Sequence, residues 1–220
     1  MSTFLELQNL TAYWLDDLNF GYFRPVQVKA WLNNAQKETQ KILLQSHQNF
    51  YVQAVQTTMV VSQTDYVLPA DFMTLHRLEV VMSGTPPEES LWPLAPITLN
   101  QQDLVTNQLG TPGTYFMKKN RLKVLPAPDT ALPLRLHYSY LVCDMVLDTD
   151  SPDIPPAYHE LLAVLAALDG LLKDGRDPSF MLAKREYYER MLKQETQQRN
   201  EDAPRTIVYT GNDIVGGSWW

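Results

Sequence analysis

The sequence predicts an α+β protein: an α-helical bundle from the N- and C-terminal helices, a β-rich insertion between them, and an extended C-terminal arm. Apolar residues recur at helical spacing near both ends of the chain, whereas short β-branched segments with alternating polarity fill the middle. The chain also has 15 prolines against 9 glycines. Most of these prolines lie between residues 69 and 156, where they favour strand ends and turns over helices.

The expected boundaries follow the changes in these patterns. Residues 1–54 and 143–198 are assigned to the helical bundle, residues 55–142 to the insertion, and residues 199–220 to the arm. Packing the terminal helices against each other buries both of their apolar faces, so the β-rich middle is read as an insertion. A chain of 220 residues is long enough to bury a substantial core.

Two helices are expected in the N-terminal part of the chain. The first covers residues 3–15, where Thr3 and Glu6 have the spacing of a capping box. The second begins at Pro25 and runs to about residue 45. One of its faces is apolar, and we expect Trp31, Ala35 and Ile42 on that face to pack against Leu161, Leu165 and the helix around Tyr187. The polar residues expected to cover its other face are Lys29, Asn33, Gln36, Lys37 and Gln40.

The middle of the chain predicts strands joined by turns. A hairpin is expected around Lys119-Asn120, and residues 85–96 are expected to form a loop. A short helix is predicted over residues 98–109, with Thr98 as its cap. The strands are expected over residues 55–62, 66–68, 75–81, 114–117, 121–125 and 134–140.

Two further helices are expected over residues 156–173 and 178–198, separated by Gly175 and Pro178. Both are rich in leucine and aromatic residues at helical spacing. Beyond residue 199 the apolar periodicity fades into a polar stretch, which is typical of a fraying helix end.

Composition excludes several classes of function. The net charge of −7 and the pI near 5.0 disfavour a nucleic-acid-binding protein, because phosphate binding requires clustered Lys and Arg. Cys143 is the single cysteine, so no intrachain disulfide forms, and its apolar neighbours predict that it packs in the core. The N-terminus has no secretory pattern and no apolar run is long enough for a membrane span, so a reducing compartment and no membrane partner are expected.

No catalytic, cofactor-binding or metal-binding residues are predicted. His159-Glu160 begins a metalloprotease pattern, but Ala163 stands where the second histidine ligand is needed. Three carboxylates at Asp148, Asp150 and Asp153 leave an ion site open as an alternative to ordinary solvated loop residues. No serine, cysteine or histidine stands in a recognisable nucleophile–base motif, so the chain is not expected to be an enzyme.

The only basic cluster surrounds the predicted hairpin turn. It consists of Lys118, Lys119, Arg121 and Lys123. A solvated turn that resists edge pairing is one explanation. The other is contact with an acidic partner, for which the net charge favours a protein over DNA.

The C-terminal arm carries the other candidate contacts. Residues 206–210 are short, apolar and β-prone, so Ile207, Val208 and Tyr209 are candidates for strand addition to the sheet of a partner. Trp219 and Trp220 follow a flexible Gly-Gly-Ser segment, and tryptophan is a frequent anchor at interfaces. A tail folded back onto the chain's own core is the alternative.

Four phrases in fixed order carry a family resemblance. They are Trp31-Leu32-Asn33-Asn34-Ala35-Gln36-Lys37-Glu38, Tyr66-Val67-Leu68-Pro69-Ala70-Asp71-Phe72, the strand with Pro-Ala-Pro at 122–128, and Ile154-Pro155-Pro156-Ala157-Tyr158-His159. In this order, over about residues 3–195, they resemble the head–tail adaptor (connector) proteins of tailed bacteriophages.

The resemblance implies a virion structural protein at the head–tail junction, made in the cytoplasm of the host bacterium. Such adaptors form a ring, usually twelve-fold, that docks under the portal protein, extends the DNA channel and offers a platform for tail or nozzle proteins. DNA would pass through an acidic lumen without specific binding. The alternatives are a neighbouring tail ring, such as a nozzle or tube-completion protein, and a small cytosolic enzyme with Asp and His on loops.

Overall fold

The computed structural model describes residues 2–46, 49–84, 88–104 and 109–201. These residues form both α-helices and β-sheets, which confirms the α+β class. Most of the predicted arm, from residue 202 onwards, lies outside the described residues. The division into a bundle and an insertion remains a prediction.

Four α-helices are present in the described residues. They are α1 Phe4–Trp14, α2 Pro25–Ser46, α3 His159–Asp174 and α4 Ser179–Glu201. The predicted capping box starts α1: the Glu6 amide donates to Thr3 Oγ1 at 3.3 Å, and the Thr3 amide donates to Glu6 Oε2 at 2.9 Å. Gly175 ends α3 with a left-handed φ of 71°, a conformation that glycine adopts without steric cost.

Within the described ranges, eight strands form two four-stranded sheets, in the orders β1-β8-β3-β4 and β2-β7-β6-β5. All pairings are antiparallel except that between β5 and β6. The strands are β1 Val52–Thr58, β2 Asp65–Val67, β3 Phe72–Ser83, β4 Ser90–Pro93, β5 Ala95–Pro96, β6 Thr114–Lys118, β7 Arg121–Leu125 and β8 Pro133–Tyr140.

The middle of the chain departs from its prediction in three places. The segment expected to be a loop at 85–96 contains the short strands β4 and β5. The helix expected over 98–109 is a 3₁₀ helix at Leu99–Leu104. The strand expected over 55–62 is β1, which starts earlier, at Val52, and ends at Thr58. The Met59 amide still bonds to the Leu132 carbonyl, and the chain turns at residues 61–62.

Two apolar clusters form the cores. One lies among the four α-helices and the segment from Val142 to Tyr158. The other lies between the inner faces of the two sheets and includes Leu78, Val124 and Leu136. Tyr140, at the end of β8, packs against both clusters and so connects them.

Helix α3 is the centre of the helical part. Every residue from Leu161 to Leu168 is buried, because α1, α2 and α4 all pack against this helix. Gly170 permits a close approach: a Cβ atom there would lie 2.7 Å from Leu15 Cδ2 and 3.3 Å from Trp31 Cζ3.

The expected contact between α2 and the C-terminal helices is largely as predicted. Ala35, Leu161 and Leu165 are buried in one cluster, and Trp31 and Ile42 pack against it while partly exposed. The helix around Tyr187, α4, packs against α2 and α3 as expected, although the Tyr187 side chain itself is 58% exposed. The neighbouring Tyr188 packs on the cluster instead, since successive helical residues point about 100° apart.

The polar face of α2 is not a solvent face, which corrects the sequence prediction. Asn33 binds the Met145 backbone through both amide atoms, at 2.9 and 3.1 Å. Gln36 donates to the Cys143 carbonyl at 2.7 Å. Gln40 donates to the Tyr140 carbonyl at 2.6 Å and accepts from the Val142 amide at 3.2 Å. We call Asn33, Gln36 and Gln40 the amide ladder.

The amide ladder satisfies an extended backbone that has left its sheet. Residues 141–146 follow β8 without strand partners, and buried backbone groups require hydrogen bonds. Ion pairs continue the same contact, from Lys29 Nζ to Asp148 Oδ1 at 2.8 Å and from Lys37 Nζ to Asp144 Oδ1 at 2.6 Å. Side chains and backbone together therefore fix this segment along α2.

The prediction that Cys143 packs in the core was wrong, since the cysteine is exposed. The segment keeps an extended alternation after β8 ends, with Val142 and Met145 buried and Cys143 pointing outward between them. Its carbonyl, not its thiol, faces α2. An apolar neighbourhood in sequence thus did not determine the direction of this side chain.

Candidate interaction surfaces

The predicted hairpin is present, formed by β6 and β7 with Lys119-Asn120 as the turn. Lys118 pairs directly with Arg121 and Phe116 with Lys123 across the two strands. Lys119 has a φ of 54°, in the left-handed region that favours glycine. A two-residue turn of this kind reverses the chain tightly and places the basic residues next to one another.

Three of the four basic residues lie on one face of the hairpin. Directly paired residues share a face, and residues two apart along a strand share it as well. Lys118, Arg121 and Lys123 therefore stand together with Phe116, while Lys119 lies at the tip. Lys123 Nζ lies 5.7 Å from the centre of the Phe116 ring, a cation–π contact.

This face borders a small cavity of about 160 Å³. Besides the three basic residues, its walls include Asp65 of β2, Phe116, and Leu99 and Gln102 of the 3₁₀ helix. Asp65 pairs with Lys123 across β2 and β7. The predicted basic residues thus belong to a concave surface. The sequence did not indicate that the 3₁₀ helix forms one wall of this surface.

The basic residues of the hairpin have no acidic partner in the described part of the chain: none of the four lies within 4.0 Å of a carboxylate there. Three neighbouring cations on one face attract anions. Arginine binds carboxylates through two parallel hydrogen bonds, whereas lysine acts as a point charge. The face is therefore suited to an acidic protein surface.

The predicted contacts in the arm fall outside the described residues. These are Ile207, Val208, Tyr209, Trp219 and Trp220. Their role as partner contacts remains a prediction.

A second concave surface contains the Ile154–His159 phrase. This cleft has a volume of about 420 Å³ and lies where the helical part meets β8. Tyr140 donates to Asp153 Oδ2 at 2.9 Å, and Tyr51 donates to the Asp153 carbonyl at 3.0 Å. Burial and the Asp153 carboxylate raise the pKa of Tyr140 to about 12. Its walls are formed by Phe50, Tyr51, Tyr140, Pro152, Asp153, Ile154, Pro155, Pro156 and His159.

An exposed aromatic cluster was missed by sequence reasoning. The Trp14 ring lies 5.4 Å from Tyr13 and 5.9 Å from Phe180, and Lys184 Nζ lies 3.9 Å from the Trp14 ring centre. Tyr13 and Phe180 are both more than 60% exposed. Adjacent aromatic residues at the end of α1 were a visible signal, but their contact with the start of α4 depends on tertiary packing.

The carboxylates considered for an ion site serve the fold. Asp148 binds Lys29 and Gln8, and these partners lower the pKa of its carboxyl group. Asp150 Oδ2 accepts the Val146 and Leu147 amides, each at 2.8 Å. Asp153 binds Tyr140. The described residues contain no group of three His, Cys, Asp or Glu arranged to hold a metal ion.

His159 bridges two parts of the backbone. Its Nδ1 accepts the Ser2 amide at 3.2 Å, and its Nε2 lies 2.9 Å from the Ile154 carbonyl, to which it donates in the neutral tautomer. Burial lowers the pKa of this histidine, which favours that neutral form. The residue thus holds the start of α1 against the start of α3.

The pair that most resembles a catalytic dyad is His76 and Ser139, with His76 Nε2 2.7 Å from Ser139 Oγ. Ser139 is the second-to-last residue of β8 and is only 2% exposed. Both residues line a cleft of about 420 Å³, but a nucleophile must reach its substrate and Ser139 exposes almost no surface there. The contact is consistent with a structural role.

The model of a family described as SU10 adaptor protein matches residues 2–210, nearly the whole chain. No curated protein matches the chain at a significant level. Within the described ranges, no helix combines the length and apolar character needed to cross a bilayer.

Proposed function

The chain belongs to the SU10 adaptor family of phage head–tail adaptors, and from this premise we propose that it forms a ring under the portal protein. The ring extends the DNA channel and provides a platform for tail or nozzle proteins. The family match over residues 2–210 carries the proposal. The resemblance noted in the sequence is thereby confirmed at the level of family, and the virion is the location that this family implies.

The basic hairpin is the contact that we assign to ring or tail assembly. Lys118, Arg121 and Lys123 share one face and have no carboxylate partner among the described residues. The remainder of the chain supplies acidic surface in abundance, since its net charge is −7. A neighbouring copy or an acidic tail component therefore matches this face better than DNA does.

Ring formation requires two different surfaces on each copy. A heterologous contact repeated around an axis closes into a ring, which is usually twelve-fold in this class of protein. The basic face is one such surface. The arm, from residue 199 to the end, is proposed as a second attachment, through Ile207, Val208, Tyr209, Trp219 and Trp220. The helical part acts as the bundle from which hairpin and arm project.

The net negative charge of the chain is compatible with passage of DNA through the ring. Like charges on the lumen wall and on phosphate weaken adhesion, so packaged DNA would slide without specific binding. The amide ladder and its ion pairs hold the segment between β8 and α3 rigidly along α2. Rigid subunits allow an assembly to keep one geometry in every copy.

Charge reversal of the hairpin tests this function. The variant with Lys118→Glu, Lys119→Glu and Arg121→Glu should fold normally, because all three side chains are exposed. It should fail to assemble on purified portal and should reduce infectious particles, since the basic face becomes acidic. Native mass spectrometry of portal mixtures and plaque counts are the measurements.

The matched control reverses three other exposed cations: Arg24→Glu, Lys41→Glu and Arg190→Glu. The total charge change is identical, so an effect of net charge alone would appear in both variants. Normal assembly and infectivity of the hairpin variant would show that the cluster is a solvated turn. Failure of both variants alike would refute a specific role for the hairpin.

A further inference from the structure

The two sheets present four edges, and three of them are poor templates for pairing. Strands β2 and β5 have three and two residues. Strand β4 has four, ends in Pro93, and lies beside a register shift in β3. Short strands, proline and irregular register are common means by which proteins prevent edge pairing.

The edge at β1 is different. This strand has seven residues, Val52–Thr58, with neither a charged residue nor a proline. One side pairs with β8 along its whole length. On the other side, no backbone hydrogen bond to β1 is present within the described ranges. An uncharged strand of this length with one open edge is a ready template for another strand.

The register identifies the groups on the open edge. The Tyr140 amide donates to the Tyr51 carbonyl, and the Met59 amide donates to the Leu132 carbonyl. Residues 51, 53, 55, 57 and 59 therefore face β8, because hydrogen-bonded pairs alternate along an antiparallel ladder. The amides and carbonyls that point away from β8 belong to Val52, Ala54, Gln56 and Thr58.

The open edge also leaves part of the core face uncovered. Val55 pairs with Leu136, which belongs to the cluster between the sheets. Leu136 is 5% exposed, but Val55 is 38% exposed because no strand lies beyond it. Val60 and Val61, just after β1, are about half exposed. A further strand would cover apolar surface as well as satisfy backbone groups.

The arm supplies a strand of matching chemistry. Thr206-Ile207-Val208-Tyr209-Thr210 is uncharged, β-branched or aromatic at every position, and free of proline. Its five residues fit within the seven of β1. No other stretch of the nineteen residues after Glu201 combines these properties.

The arm also begins within reach. Leu192 of α4 and Tyr51, which precedes β1, are buried in the same cluster. From Leu192, the helix to Glu201 extends about 14 Å at a rise of ~1.5 Å per residue. Residues 202–205 add at most about 14 Å when extended. Tyr188 of α4 bonds to Glu160 at the start of α3. Tyr51 lines a cleft with the neighbouring His159, so α4 runs toward the start of β1. Residue 206 can therefore approach that strand.

We propose that the open edge of β1 is the docking site for Thr206–Thr210 of this chain, which adds a fifth strand to the β1-β8-β3-β4 sheet. The outward amides and carbonyls of β1 bond to the arm, and an apolar arm side chain covers Val55. This pairing is proposed for the free chain. Ile207, Val208 and Tyr209 would leave β1 when the arm attaches to a partner in the ring.

Amide hydrogen exchange of the full-length chain tests the pairing. The amides of Val52, Ala54, Gln56 and Thr58 should exchange at least about tenfold more slowly than in the Val208→Pro variant, since proline breaks the added strand. The Val208→Ile variant should retain protection. Equal exchange at these four amides in the full chain and in Val208→Pro would overturn the proposal.

A substitution in β1 tests the same contact from the other side. Ala54→Pro removes one outward amide and leaves the bonds to β8 intact, whereas Ala54→Thr keeps the amide. Only the proline variant should lose protection at Val52 and Gln56 while β8 remains protected. Protection that survives both proline variants would indicate pairing of β1 with another strand and would also overturn the proposal. Protection that stays unchanged on dilution supports pairing within one copy. Protection that falls on dilution would show pairing between copies and would overturn the proposal.

Discussion

At the scale of single residues, the side-chain amides of α2 have a structural role that their polarity does not predict. Gln36 and Gln40 are completely buried, although glutamine usually lies at the surface. Gln40 compensates its burial through both amide atoms, which bond to the Tyr140 carbonyl and the Val142 amide. Gln36 does so through its Nε2 donor to the Cys143 carbonyl, while its Oε1 is buried without a partner. Residues 31–38 therefore make two kinds of contact: some pack on the helical core, and others bond to the extended segment after β8.

Gln40→Leu should destabilise the fold. The substitution removes both hydrogen bonds and leaves the Tyr140 carbonyl and the Val142 amide without partners. Each unsatisfied buried group costs about 1–3 kcal/mol, so the free energy of unfolding should fall by roughly 2–6 kcal/mol. Urea denaturation measures this loss. Lys41→Leu, at the next and exposed position, should change it by less than about 0.5 kcal/mol, and an equal effect of both variants would contradict the account.

His159 should make stability depend on pH. Burial lowers the pKa of the folded histidine, whereas the unfolded side chain titrates near 6.5. The unfolded chain therefore binds the proton first as the pH falls. The stabilisation is fully present above about pH 6.5 and is lost as the pH falls toward the folded pKa.

The His159→Gln variant should show a flatter dependence of unfolding free energy on pH below about 6.5. Denaturant unfolding at a series of pH values provides the measurement. Ser90→Ala, which changes an exposed residue that does not titrate, is the control and should retain the slope of the parent chain. An unchanged slope in His159→Gln would show that this histidine is not responsible.

Residue-level predictions from sequence succeeded where local chemistry determined the outcome. Thr3 and Glu6 form the expected capping box because both partners lie within one helical turn. Cys143 and Gln40 could not be predicted, since their environments are set by residues about one hundred positions apart. Hydropathy reports how polar a side chain is, whereas its direction depends on which segment packs against it.

At the scale of elements, α3 depends on a small residue at its crossing with α1 and α2. Gly170 lies where the Leu15 side chain and the Trp31 ring approach most closely. Its presence in a helix lowers helix propensity by about 1 kcal/mol relative to alanine. The close contact explains why glycine occupies the position despite that cost.

Gly170→Ala should therefore destabilise the protein, although alanine favours helices. The new methyl group would lie 2.7 Å from Leu15 Cδ2, and relief of such overpacking typically costs about 1–3 kcal/mol. Thermal unfolding measures the change. Leu172→Ala, at a largely exposed position of the same helix, should shift the melting temperature much less, and a gain in stability for Gly170→Ala would contradict the account.

Helices and strands with a clear periodicity of apolar residues could be predicted from sequence, whereas very short strands could not. Helices α1 and α2, the hairpin of β6 and β7, and β8 lie close to their expected positions. Strands β4 and β5 have four and two residues, too few to show alternation, and their pairing with β3 and β6 is decided by tertiary contact. The concave face at the hairpin was missed for the same reason, since the 3₁₀ helix approaches it from a separate segment.

At the scale of the whole molecule, the chain has a net charge of −7 and carries two candidate binding surfaces. The basic face of the hairpin and the open edge of β1 both lack partners within the described residues. The basic face suits an acidic protein surface, and the open edge of β1 suits the Thr206–Thr210 segment. The family match and these two surfaces are together consistent with a subunit designed for repeated contacts.

A cryo-electron microscopy map of the intact virion tests the central claim most directly. The account predicts that this chain forms a closed ring in contact with the portal, on the axis between head and tail, with DNA able to pass through its centre. The hairpin of β6 and β7 should face a neighbouring copy or a tail component. A map that places the chain away from the portal–tail axis, or a complete virion that lacks it, would contradict the account.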